Sequence, residues 1–262
     1  LLMIMTENIT YKDETINNPM EEDILTIRNL SKSFDENEVL KDINLHVKKG
    51  ENLVVLGRSG EGKSVTIKCI IGLVKVDSGE INIFGTDITK IGKQELNEIR
   101  MRVGFLFQNG ALYDSMTVRD NLSFTLRHHS PDLKRKEIDE LVVEALENVG
   151  LEEAIDKMPS ELSGGMRKRI GLARTLIIKP EIILYDEPTT GLDSITSKEI
   201  SELIVSIREK YKTTSIIITH DMPCAKITGD RIVILNEGVI YAEGTYDELE
   251  KSDDKWIRSF FN

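Results

Sequence analysis

Gly57-Arg58-Ser59-Gly60-Glu61-Gly62-Lys63-Ser64 satisfies the pattern G-x-x-x-x-G-K-[ST], and its neighbours give that pattern a mechanical meaning. Asn52-Leu53-Val54-Val55-Leu56 in front of it is a short apolar run that reads as a buried strand, and Ser64-Val65-Thr66-Ile67-Lys68-Cys69-Ile70-Ile71 behind it opens a helix. In that order, the glycines let backbone N–H groups turn toward an anion and the helix N-terminus adds its partial positive charge. Lys63 then reaches the β and γ phosphates of a nucleotide, and Ser64 is placed to hold Mg²⁺.

The wider composition limits what such a loop serves. At 262 residues the chain is long enough for one large core or two subdomains, and a formal charge of −11 argues against general affinity for nucleic acid. The basic clusters Lys134-Arg135-Lys136 and Arg167-Lys168-Arg169 lie among acidic residues and read as solvated helix faces. Cys69 and Cys224 are far apart, without metal-ligand spacing, and read as small buried apolar residues of a reducing cytosol. Leu1-Leu2-Met3-Ile4-Met5 is too short for a signal peptide, and no apolar run reaches the roughly 18 residues needed to span a bilayer. The expectation is a cytoplasmic protein whose membrane role, if any, comes through another polypeptide.

Residues 1–23 are polar and aperiodic and are expected to be a loosely ordered lead-in, with the fold beginning near Ile24. Ile24-Leu25-Thr26-Ile27-Arg28 and Ile43-Asn44-Leu45-His46-Val47 alternate as half-buried antiparallel strands do, which puts His46 on the polar face. Strands are also expected at 80–84, 103–107, 182–185, 215–219 and 231–235. Helices are expected at 118–127, 137–149 and 164–178, within a helical insert spanning about 109–179, and another between the strands at 182–185 and 215–219. Apolar runs alternating with helices indicate an α/β protein with a mainly parallel sheet and ligands at the carboxyl ends of its strands.

Two further stretches carry chemistry. Asp186-Glu187 closes the apolar run Ile182-Ile183-Leu184-Tyr185, placing two carboxylates at a strand end. That suits ATP hydrolysis, with one carboxylate bearing on the Mg²⁺ shell and the other on the attacking water. Leu162-Ser163-Gly164-Gly165-Met166 opens a helix and forms a second phosphate site without a lysine. Two phosphate loops in one chain make sense if two copies meet head to tail, each capping the ATP held by the other.

With these residues in place, the chain resembles the nucleotide-binding subunit of ATP-binding cassette (ABC) transporters from about Ile24 onward. The resemblance rests on the glycine loop, Gln108 after a strand, Leu162-Ser163-Gly164-Gly165, Asp186-Glu187, Gly191-Leu192-Asp193 and Thr219-His220-Asp221, all in the family's order. It implies a P-loop NTPase fold with a RecA-like core, an antiparallel β subdomain and a helical signature subdomain. It implies ATP and Mg²⁺ as cofactors, a homodimer, integral membrane permease subunits as partners, and a peripheral place on the cytoplasmic face of the inner membrane.

The resemblance implies roles for particular residues too. Gly57, Arg58, Ser59, Gly60, Glu61, Gly62, Lys63, Ser64 and Val65 would cradle the nucleotide of the same chain, with Phe34 stacking on adenine. Ser163, Gly164, Gly165 and Asp193 would work across the dimer. Glu187 would be the catalytic base, His220 would contact the γ phosphate, and Ser64, Gln108 and Asp186 would hold the metal. Met166 stands where glutamine is usual. Within the family, residues 62–65, 107–118 and 160–169 resemble ATPases of the Mla/Mce-type systems that move phospholipids or other lipids between bacterial membranes. Segment 109–126 is where such a subunit receives a helix of its permease.

An ABC ATPase that transports nothing, and serves as a scaffold or mechanical subunit in cofactor assembly or division, is the alternative. DNA-repair relatives carry long inserts and translation-factor relatives two cassettes, and this chain has neither feature. A GTPase would need an Asn-Lys-x-Asp segment, which the sequence lacks. His128-His129 precedes Ser130-Pro131 and suits a helix end better than a metal. Trp256, Phe260 and Phe261 form an apolar tail expected to pack on its own subunit, the alternative being that it crosses to a neighbour.

Overall fold

The computed structural model describes residues 23–261; the expected lead-in lies outside them except for Asp23, which opens the first strand. β1 (Asp23–Phe34), β2 (Asn37–Lys48), β4 (Ser78–Ile83) and β5 (Thr86–Asp87) form an antiparallel sheet in the order β2-β1-β4-β5. Thr26 pairs with His46 on one side and Asn82 on the other. β1 and β2 run well past the alternating cores 24–28 and 43–47, because pairing resumes after register shifts that follow Ile27. There Asn29 adopts a left-handed φ of 48°, an angle Asn tolerates, and its N–H donates to Asn44 Oδ1 at 2.9 Å.

The second sheet joins β3 (Asn52–Leu56), β6 (Val103–Leu106), β7 (Ile182–Asp186), β8 (Thr214–Thr219), β9 (Arg231–Asn236) and β10 (Val239–Gly244) in the order β10-β9-β3-β8-β7-β6. All its pairings are parallel except β9 with β10. Both faces are covered, so its strands read as continuous apolar runs. Leu53 and Val55 face a core shared with the antiparallel sheet, while Val54 and Leu56 face the helices behind.

The helices are α1 (Lys63–Ile70), α2 (Lys93–Met101), α3 (Val118–His129), α4 (Arg135–Glu147), α5 (Gly164–Leu176), α6 (Ser194–Tyr211), α7 (Met222–Thr228), α8 (Tyr246–Glu250) and α9 (Lys255–Arg258). α3, α4 and α5 build their own core around Leu122, Val142, Leu146 and Ile170. Trp256, Phe260 and Phe261 pack on the core of their own chain.

Several expectations are adjusted at their edges. The strand expected at 80–84 stops at Ile83, since Phe84 turns left-handed at φ 52° before Gly85. α4 starts two residues early because the Glu137 carboxylate accepts the Lys134 N–H at 2.8 Å. α2, β5, β10 and the short helices α7, α8 and α9 were not anticipated. Lys168 departs from its reading as a solvated basic residue and is 5% exposed. Among the described residues no helix is long and apolar enough to cross a membrane, and no group of three His, Cys, Asp or Glu side chains is placed to hold a metal.

Arg231 fastens the two sheets together. Its guanidinium donates to Glu51 Oε1 at 2.6 Å, to Glu243 Oε1 at 2.6 Å and to the His46 carbonyl of β2 at 2.6 Å. Burial alone would raise the Glu51 carboxyl, but the Arg231 hydrogen bond and the Lys48 N–H outweigh it and hold the pKa below its ordinary 4.5. A depressed carboxylate pKa stabilises the fold above the unfolded value, and that contribution is lost as pH falls through the folded one. Arg231→Met is therefore expected to cost about 3 kcal/mol in urea unfolding at pH 7, by leaving Glu51 charged and unpaired. The deficit should shrink as pH falls and Glu51 takes up a proton, and an equal loss at neutral and acidic pH would contradict the electrostatic account. Burial also pushes the Cys69 and Cys224 thiols up to about 11. Both are expected to resist a thiol reagent at pH 8 until urea is added.

Candidate active site

The parallel strands deliver their following turns to one edge of the sheet. The glycine loop follows β3, Gln108 follows β6, Asp186 ends β7 and His220 follows β8. A cavity of about 870 Å³ opens there, lined by Gly57, Arg58, Ser59, Gly60, Gly62, Lys63, Ser64, Val65, Gln108, Glu187 and His220.

Within the loop, Gly62 has φ +95°, and an added Cβ would lie 2.7 Å from Leu40 Cδ2 and 2.9 Å from the Val39 carbonyl oxygen. Only glycine fits that turn. Lys63 opens α1 and its Nζ donates to the carbonyls of Gly57 at 2.7 Å and Arg58 at 2.9 Å. Burial lowers the Lys63 pKa, and the carboxylates of Glu187, Glu61 and Asp186 oppose that shift. Ser64 Oγ donates to Asp186 Oδ1 at 2.9 Å, which sets side by side two oxygens of the kind that suits a hard divalent cation. The Glu61 carboxylate turns away from the cavity to accept the Glu237 N–H.

Glu187 is 9% exposed and has a left-handed φ of 53°, a conformation that costs energy for a residue other than glycine. Several bonds hold it. Its N–H donates to the Ile218 carbonyl of β8 at 2.9 Å, and its own carbonyl accepts from Lys168 Nζ at 2.9 Å. On the carboxylate, Oε2 accepts from Thr190 Oγ1 at 3.0 Å and lies 2.8 Å from His220 Nδ1, while Oε1 lies 3.9 Å from Lys63 Nζ. A carboxylate so fixed beside a cationic phosphate loop can orient or deprotonate a water. The site's chemistry matches a triphosphate, with a lysine, a helix N-terminus and loop N–H groups for the anion and oxygen ligands for a hard divalent cation.

The other expected site residues stand apart from this cavity. Ser163 caps α5, its Oγ accepting the Met166 N–H at 3.2 Å, and neither it nor Gly164 nor Gly165 lines the cavity. The Asp193 carboxylate caps α6, accepting the N–H groups of Ile195 and Thr196 at 3.0 Å each. Phe34 is 45% exposed at the end of β1, with Lys32 Nζ 5.1 Å from its ring centre, and does not line the cavity either. Reading the sequence missed Lys168 and Thr190 as partners of Glu187, and Val39, Met222, Ser259 and Phe260 as cavity wall. Lys168 had a usable signal. It lies on one helical stripe with Gly171, Leu172 and Thr175, all buried.

A family profile described as ABC transporter matches residues 40–190. Over 238 residues the chain is 42% identical to the probable ribonucleotide transport ATP-binding protein mkl of Mycobacterium leprae, spanning 91% of this chain and 68% of that protein. Over 241 residues it is 37% identical to the intermembrane phospholipid transport system ATP-binding protein MlaF of Haemophilus influenzae, spanning 92% and 91%. Among solved structures, the dimeric post-hydrolysis state of the ATP-binding cassette MJ0796 bound to ADP and Pi superimposes with a TM-score of 0.77 at 32% identity, over 84% of this chain and 98% of that one. Strand order, loop geometry and these likenesses agree, and the chain belongs to the ABC transporter family as an ATP-binding, ATP-hydrolysing cassette.

Proposed function

We propose that this ATPase dimerises head to tail on ATP and drives a separate integral permease that moves phospholipid or another lipid between bacterial membranes, from the cytoplasmic face of the inner membrane. The observation that carries the hydrolytic part is Glu187, clamped at the sheet edge between Lys63 and His220. An incoming triphosphate offers Lys63 a stronger, charged acceptor than the two loop carbonyls it bonds. Glu187 then orients the water and takes its proton as the water oxygen bonds to the γ phosphorus and the bond to the β-phosphate oxygen breaks, yielding ADP and phosphate. His220 contacts the γ phosphate. Ser64, Asp186 and Gln108 are the residues to hold Mg²⁺, which when bound neutralises charge on the phosphates. Ser163, Gly164, Gly165 and Asp193 act on the facing copy's nucleotide, which accords with their place away from this chain's own cavity. Phe34, exposed at the end of β1, stacks on adenine.

The division proposed is a cassette over 24–262 with a helical subdomain over about 109–179. A cleft of about 460 Å³ bordered by Tyr113, Phe124, Arg100, His128 and Arg174 supports a docking place for a permease helix. Tyr113 and Phe124 are 46% and 45% exposed with ring centres 5.3 Å apart, so an apolar helix face would bury them. The lipid cargo rests on the likeness to MlaF, which extends over nearly the whole of both chains.

Glu187→Gln is expected to bind ATP normally and lose roughly 10²-fold or more in turnover, the scale of losing a general base; undiminished phosphate release would remove the assignment. Gly62→Ala forces a Cβ into Leu40 and Val39 and should weaken binding of a fluorescent ATP analogue by about 2 kcal/mol, roughly thirtyfold in Kd. For the cargo, mass spectrometry of the complex purified with its permease is expected to find bound phospholipid, and a complex free of lipid would count against lipid transport.

A further inference from the structure

We propose that Lys168 is a positioning residue which makes the placement of Glu187 depend on the position of the signature helix α5, so that the two nucleotide sites of a dimer communicate through each chain. The proposal rests on reading Glu187 as the base for the chain's own nucleotide and the Ser163 loop as serving the facing copy's.

Lys168 sits on the buried face of α5, where an apolar side chain would be the cheaper occupant, so a buried amine there needs a specific partner. That partner is the Glu187 carbonyl, at 2.9 Å. The same carbonyl also accepts the longer bond from the Thr190 N–H at 3.3 Å. A left-handed glutamate is a strained turn, and a bond to its carbonyl fixes the peptide orientation that aims its carboxylate. Burial pushes the Lys168 pKa down to about 8, and Glu187 and Asp186 oppose the shift.

The helix that carries the lysine is itself tightly seated. A Cβ added to Gly171 would lie 2.9 Å from both Cα and O of Gly110, so α5 touches the backbone just after Gln108 with no room between. Thr175 Oγ1 adds a bond to the Phe105 carbonyl of β6 at 3.3 Å. Ser163 caps the same helix, and Lys168 follows it by about 7.5 Å along the axis at 1.5 Å per residue. A phosphate engaged at the signature loop therefore bears on a firmly seated helix that stands one hydrogen bond away from the base of the other site.

The test uses the full chain, comparing wild type, Lys168→Met, Lys168→Arg and Glu187→Gln in steady-state ATP hydrolysis and in binding of a fluorescent ATP analogue. Lys168→Met is expected to lose at least about tenfold in kcat with KM and analogue affinity changed less than about threefold, and the Hill coefficient for ATP should fall toward one. Lys168→Arg, which keeps a cationic donor, should recover most of the turnover. If Lys168→Met fails to fold, Lys168→Gln, whose head stops short of the carbonyl, replaces it under the same criteria. Wild-type turnover in Lys168→Met beside a dead Glu187→Gln would overturn the inference and leave the function intact. Parallel loss of binding and turnover, failure of the arginine variant, or an unmoved Hill coefficient would overturn it as well. Full activity in Glu187→Gln would instead sink the underlying assignment of the base.

Discussion

Parallel pairing of β7 with β8 and of β3 with β8 sends Asp186, the glycine loop and His220 out of one edge of the sheet, and the site consists of what those turns carry. The register is specific. Leu56 pairs with Thr219 and Asp186 with Ile218, so the last residue before the phosphate loop is level with the residue before His220, and Asp186 lies one residue behind them. A slip of one residue would reverse the faces of β3, driving Val54 and Leu56 into the wrong core, and would misplace Lys63 against Glu187 at the same time. Packing and chemistry therefore select the same register.

Around Glu187 the charges are arranged so that no group is buried alone. Lys63 and Lys168 both suffer from burial and both gain from Asp186 and Glu187. Two cations and two carboxylates share a small volume of low dielectric, where removing one member exposes the others to its full desolvation cost. Such a network has few arrangements of similar energy, which suits a site that must hold a water in one place.

Much of this was legible in the sequence because its signals are local. The glycine loop, the apolar run before it and the carboxylates after 182–185 each fix a chemistry within a few residues, and buried parallel strands advertise themselves as Val, Ile and Leu runs. Lys168 was missed because charge dominated its reading. Inside Arg167-Lys168-Arg169 it resembles a solvated face, and only its helical phase relative to Gly171, Leu172 and Thr175 separates it from its neighbours. The strands β1 and β2 came out short because their alternation breaks at Asn29, where a left-handed residue and its bond to Asn44 carry the pairing across an irregularity that periodicity treats as an end. β10 escaped notice because its residues alternate between exposed and half-buried without a strongly apolar face.

β10 also explains the aromatic tail. Among the described residues it pairs with β9 alone and so forms an edge of the sheet, a surface that invites pairing with another chain unless it is covered. α8 and α9 supply a cover. Trp256 packs edge-on against Tyr241 of β10 at 4.7 Å and against Phe260 at 4.9 Å, and Phe261 meets Tyr246 at 5.1 Å. The Tyr241 hydroxyl donates to Asp254 Oδ2 at 2.7 Å, and that carboxylate caps α9 through its other oxygen at the Trp256 N–H. The cover then reaches the chemistry, since Ser259 and Phe260 form part of the cavity wall and the Arg58 guanidinium of the phosphate loop lies 6.0 Å from the Trp256 ring centre. The segment that packs on the last strand of the sheet is thereby held against the phosphate loop as well.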